Sequence, residues 1–181
     1  MALILEARRK WLTAGVVFGL AAIVLGHETR LIEEITGYSL PPKLDPLRRV
    51  RGWKSAAETV ETERQRLTND GKPSFVIGDH YGITSLLTFY TPAARATASQ
   101  SDLIYCLSAD EPTNQFSFWP GYSPRQGESA IFVQKTDEPH PPPPRLQRQF
   151  ESVTDLGMRR VYDDHGVVIR RIQLFACRNL R

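Results

Sequence analysis

The longest apolar run comes first. Residues 11–26 read Trp-Leu-Thr-Ala-Gly-Val-Val-Phe-Gly-Leu-Ala-Ala-Ile-Val-Leu-Gly, without a charge, directly after Arg8, Arg9 and Lys10. Such a run predicts a membrane-crossing helix. At ~1.5 Å per residue it covers about 24 Å, short of the ~30 Å hydrocarbon core, so tilt, local thinning or neighbouring helices must make up the difference. A basic start, an apolar centre and small residues near Gly26 also fit a signal peptide removed by cleavage, and a buried soluble helix is the third reading. Either membrane reading keeps the basic cluster inside and everything after His27 outside. The anchor reading gives a cytoplasmic segment 1–10, a transmembrane helix 11–27 and a juxtamembrane connector 28–44, which carries Glu33, Glu34, Gly37 and Tyr38 and meets Pro41-Pro42.

From residue 45 the rhythm changes to that of an α/β domain, 45–181. Asp45-Pro46 reads as a helix N-cap followed by proline at the first helical position, opening a basic turn with Arg48, Arg49 and Arg51. Those arginines are candidates for contact with anionic lipid head groups, or are simply solvated. Trp53, Ala56, Ala57, Val60, Arg64 and Leu67 recur at helical spacing, with Glu58, Glu61, Glu63 and Arg66 elsewhere on the wheel. Asn69-Asp70-Gly71-Lys72-Pro73 ends that helix with turn chemistry. Apolar runs at 75–78, 103–108 and 129–134 then predict strands, and Ile83, Leu86, Leu87 and Tyr90 predict a helix stopped by Pro92. The run Pro139-His140-Pro141-Pro142-Pro143-Pro144 lacks amide donors and reads as an extended surface spacer, or as a proline-rich recognition ligand. A short helix at 145–150 follows. Runs at 153–162 and 167–177 flank Asp163-Asp164-His165-Gly166, a hairpin signal, with Arg159, Arg160, Arg170 and Arg171 as solvated edge charges.

The pattern predicts an α/β fold: a single N-terminal transmembrane helix, then a small three-layer domain. Its sheet should be mainly parallel, with the first strand between the next two, and extended by a C-terminal antiparallel hairpin. Parallel sheets usually place their sites at the carboxyl ends of the strands. There the chain offers Asp79 and Tyr81 after the first strand, and Asn114, Gln115 and Trp119 after the second. An aromatic ring beside carboxylate and carboxamide groups suits a sugar, whose apolar face stacks while its hydroxyls hydrogen-bond. The same residues also suit a structural role, with Asp79 capping the helix near Tyr81 and Trp119 plugging the sheet.

Charge and composition narrow this only a little. Lys+Arg 23 against Asp+Glu 20 is too even to point to nucleic acid. Cys106 and Cys177 form neither a CxxC pair nor a zinc set; free buried thiols are the simpler reading and a disulfide the other. His27, His80, His140 and His165 are scattered, so no metal or other cofactor is expected. There is no GxGxxG after the first strand, no GxxxxGK[ST], no GxSxG and no HExxH, so no catalytic residue is assigned.

One resemblance adds to this. Arg8-Arg9-Lys10 with the apolar span, Asp45-Pro46-Leu47-Arg48-Arg49-Val50-Arg51-Gly52-Trp53, Gly78-Asp79-His80-Tyr81, Phe89-Tyr90-Thr91-Pro92, Tyr105-Cys106-Leu107 and Asn114-Gln115-Phe116-Ser117-Phe118-Trp119-Pro120-Gly121 resemble, in order and spacing, the end of bacterial glycosyltransferase family 39 proteins. These are membrane enzymes similar to protein O-mannosyltransferases and to the aminoarabinose transferase of lipid A. The resemblance implies a polyprenyl-phosphate-linked sugar donor, inverting transfer outside the cytoplasmic membrane, and an acidic catalytic residue in a first extracytoplasmic loop. Only the last transmembrane helix and the C-terminal extracytoplasmic domain correspond, so that residue is not carried onto this chain. The expectation is a single-pass protein of the bacterial cytoplasmic membrane, N-terminus inside, accessory to a multispanning catalytic half and inactive without it. A stand-alone extracytoplasmic module binding a glycan or lipid-linked sugar is the alternative.

Overall fold

The computed structural model describes the chain except residues 1, 39–40, 42–43, 46, 48–49, 70, 97–102, 108–114 and 163–165, and except the side chains of 2–7, 30 and 116. It forms two compact units, Met1–Val50 and Arg51–Arg181. In the first, helix α1 (Ala2–His27) contains one stretch, Arg8–His27, long and apolar enough to cross a membrane, and none of it is buried. Two of its polar side chains bond within the helix: the Thr13 hydroxyl donates to the Arg9 carbonyl at 2.9 Å, and His27 Nδ1 lies 2.9 Å from the Ile23 carbonyl. Helix α2 (Arg30–Thr36) ends at Gly37, whose φ of 68° is readily adopted only by glycine, and whose N–H donates to the Glu33 carbonyl. Asp45 accepts from the Thr29 hydroxyl at 3.1 Å and from the Leu47 N–H at 2.9 Å, a turn-forming role. Arg48 and Arg49, candidates for membrane contact, lie outside the described residues.

The second unit is an α/β sandwich around a five-stranded sheet of order β2-β1-β3-β5-β4. Its strands are β1 (Ser74–Gly78), β2 (Ile104–Cys106), β3 (Ser129–Lys135), β4 (Phe150–Tyr162) and β5 (Val168–Leu180). As the pattern predicts, β1 lies between β2 and β3 and is parallel to both, with Val76 opposite Ile104 and Ile77 opposite Phe132. The β4–β5 hairpin adds to β3 antiparallel, with Phe132 opposite Phe175.

Strand alternation divides the core in two. One face carries Val76, Ile104, Ile131, Val133, Ile172 and Leu174 under helices α3 (Trp53–Asn69), α4 (Tyr81–Tyr90) and α5 (Pro92–Ala96). The other carries Phe75, Ile77, Tyr105, Phe132, Phe175 and Cys177. Tyr122, Phe150 and Leu146 of the one-and-a-half-turn helix α6 (Pro144–Gln149) pack onto it, so the third layer is mostly irregular chain. Phe75, Phe132 and Phe175 are fully buried, each worth roughly 1.5–3 kcal/mol of hydrophobic stabilisation.

Polar side chains hold this sandwich where the sequence suggests solvent. Glu63 is 9% exposed and accepts from Arg66 at 3.0 Å and from Arg159, on β4, at 3.2 Å. Arg170 is 7% exposed; its guanidinium lies 3.9 Å from the Trp53 ring centre and donates to the Arg51 carbonyl at 2.8 Å. Glu63, Arg159 and Arg170 are therefore ties between α3 and the hairpin rather than solvated charges, while Arg160 and Arg171 are exposed. The proline-rich segment is likewise secured. Gln173, completely buried, accepts from the His140 N–H at 2.8 Å and donates to the His140 carbonyl at 3.0 Å and to Asp155 Oδ2 at 2.9 Å. One side-chain amide thus supplies the ladder partner that the flanking prolines cannot.

Candidate functional site

β1 delivers its carboxyl end against α4 through Gly78. A Cβ there would lie 2.6 Å from Thr84 Oγ1 and 3.1 Å from the Thr84 nitrogen, so only glycine lets the helix come this close. The chain then turns through Asp79 and His80 into α4. His80 is extended (φ −147°, ψ 145°), and its Nδ1 accepts the Gly82 N–H at 3.0 Å. His80, not Asp79, caps the helix, which requires a ring with Nδ1 unprotonated.

Asp79 is released from capping because it still belongs to the sheet. Its N–H donates to the Val133 carbonyl at 3.0 Å, and alternation places its side chain on the face of Phe75 and Ile77. Gln134 of β3 falls on that face too, one step beyond Phe132. Asp79 Oδ1 and Gln134 Oε1 are both buried and both lack a hydrogen-bond partner. Burial pushes the Asp79 carboxyl up to about 6, against the weaker pull of the Lys135 backbone amide and the Lys135 charge. A protonated carboxyl is the less costly form to bury, because desolvation penalises the charge. Beside it on β2, Cys106 is half-buried, and its thiol is raised by burial, with the Asp79 charge adding to the shift.

The remaining candidates surround this core of the site unequally. Tyr81 opens α4, is 45% exposed, and its ring centre stands 4.0 Å from that of His80. β2 leaves the sheet at the same edge, where the Leu107 N–H donates to the Gly78 carbonyl at 2.8 Å. Gln115 begins an exposed 3-10 turn, Gln115–Phe118, and Trp119 follows it at 51% exposure. Asn114 lies outside the described residues. Arg51 is half-buried, its carbonyl taken by Arg170. Among the described residues no group of three His, Cys, Asp or Glu side chains is arranged to hold a metal.

No protein-family model matches this chain, and no curated protein or solved structure does either. Its chemistry is therefore read from the edge itself: a carboxyl pushed up to about 6, a carboxamide on the same sheet face and an exposed phenol. Carboxyl, carboxamide and phenol groups can both accept from and donate to hydroxyls. Gln134 was not singled out from the sequence. Its signal was there: it continues the Ala130, Phe132 alternation onto an inner face with a polar group.

Proposed function

We propose that this chain is a membrane-anchored extracytoplasmic binding domain, the accessory C-terminal portion of a polyprenyl-phosphate-sugar-dependent glycosyltransferase whose transfer chemistry resides in a multispanning half. The observation that carries this reading is the joining, in one chain, of a membrane-length apolar helix to an α/β unit with Asp79 and Tyr81 at the carboxyl edge of its parallel strands. The helix holds the domain at the outer face of the bacterial cytoplasmic membrane, with Arg8, Arg9 and Lys10 inside and Arg48, Arg49 and Arg51 near the outer head groups. Tyr81 stacks on a pyranose ring, and Asp79, Asn114 and Gln115 take its hydroxyls. Asp79 acts as a ligand and not as the catalytic base.

A stand-alone module for a glycan or lipid-linked sugar is the second reading, favoured by the unit Arg51–Arg181 having its own core on both faces of its sheet. Proteoliposomes of the full chain, given a radiolabelled polyprenyl-phosphate sugar and an acceptor panel, test both. Saturable binding without transfer supports the proposal, and co-purification with a multispanning protein from native membranes selects its accessory form. Transfer by the chain alone, abolished in Asp79→Asn, overturns it.

A further inference from the structure

The segment 112–124 reads Pro-Thr-Asn-Gln-Phe-Ser-Phe-Trp-Pro-Gly-Tyr-Ser-Pro, without a charge, in a chain where 24% of residues are charged. Among its described side chains, the adjacent Phe118 and Trp119 are 79% and 51% exposed. Single exposed apolar residues are ordinary, but an adjacent Phe-Trp pair at the tip of an uncharged turn is a concentrated apolar surface. The turn is also firmly based. Three residues on, Tyr122 is 2% exposed, packed 5.7 Å from Phe75 and 5.9 Å from Tyr105, with its hydroxyl donating to Gln149 Oε1 at 2.7 Å. Arg125 lies 4.7 Å from the Phe75 ring centre and pairs with Glu128 at 2.6 Å. The apolar pair is thus presented from a buried aromatic footing.

We infer that Phe118 and Trp119 form a second membrane contact, a shallow aromatic wedge that enters the head-group region of the bilayer. Trp and Phe favour that region, where an apolar ring is covered while the backbone stays hydrated, and an uncharged turn loses little on entering it. The helix on the same chain names the occupant: a domain tethered to a bilayer meets lipid at far higher effective concentration than any soluble partner. The inference rests on the anchoring proposed above, not on sugar binding.

The test uses the full chain carrying Trp11→Phe in vesicles of phosphatidylethanolamine and phosphatidylglycerol. Trp53, 3% exposed, contributes a constant signal, and a Trp119→Phe companion isolates Trp119 by difference. Lipids brominated close to the head group should quench roughly half or more of the Trp119 emission, and aqueous iodide should quench it little. Phe118→Ser, which removes half of the wedge at an exposed position, should weaken the lipid quenching about twofold. Trp119 that is insensitive to brominated lipid and open to iodide overturns the inference, including the case in which the turn serves a protein partner. Carbonate extraction of the same vesicles keeps the two readings apart: protein retained but Trp119 unquenched refutes the wedge alone, and protein released refutes the anchor.

Discussion

Tyr122 and Trp119 are three residues apart in one aromatic-rich stretch, yet one is 2% and the other 51% exposed. Tyr122 joins Phe75, Tyr105 and Phe150 on the second face of the sheet, its hydroxyl partnered by Gln149. Trp119 stands on the turn before it, beside Phe118 at 79% exposure. Composition alone does not separate the two. What separates them is the sheet: Tyr122 lies over the strand residues that alternation turns inward, and Trp119 has passed beyond them. Aromatic residues in this segment therefore occupy two settings, one closing the core and one exposed.

The largest expected effect falls on the buried member. Tyr122→Ala should cost about 3 to 5 kcal/mol, as truncating a large core aromatic does, measured by denaturant unfolding. A cost near that of a surface substitution would break the contrast. Next comes the amide that holds the proline strap. Gln173→Leu should cost on the order of 1 to 3 kcal/mol, because it removes the partner of the His140 N–H and carbonyl and one of the donors to the Asp155 carboxylate. Hydrogen exchange at His140 should rise with it, and an unchanged rate would mean the strap is held by other contacts.

A smaller effect is read in pH. Asp79 titrates near 3.8 in the unfolded chain and about 6 in the folded one, so the fold favours its protonated form. The stability this contributes is fully present below 3.8 and is lost as pH rises through 6. Asp79→Asn should flatten that part of the stability profile and leave the protein at neutral pH no less stable than before. A decrease in stability at pH 7 would mean the ionised carboxylate is the form the fold wants. The smallest effect belongs to the exposed member: Trp119→Ala should cost less than ~1 kcal/mol, and a larger loss would place it with Tyr122.

The sheet was readable because its strands carry their own apolar runs, and the β1, α4 junction because Gly78, the polar turn and the Ile83, Leu87 spacing each point the same way. Arg159 and Arg170 read as solvated edge charges in the sequence because their partners are remote. Arg159 and Glu63 are 96 residues apart, and helical spacing cannot reveal a partner on another element. The third layer and its short helix at 145–150 are expected from the sequence, but the part Tyr122 plays in it is not, because Tyr122, Leu146 and Phe150 cover a sheet face without a shared periodicity. At the candidate site, Asp79 and Tyr81 were visible as polar residues at a strand end. The cap and the carboxamide were not, since a His at N-cap and a Gln inside a strand are both weak signals.

The division between residues that fold the domain and residues that bind for it is tested most directly at Tyr81, exposed and beside His80 at the strand edge. Binding of a polyprenyl-phosphate sugar and thermal unfolding should be measured on the same preparations of the full chain and of Tyr81→Ala. The account predicts affinity weakened about tenfold, roughly 1.4 kcal/mol, with a melting temperature shifted by no more than a few degrees. Unchanged affinity, or an affinity loss that merely follows a collapse in stability, would contradict it.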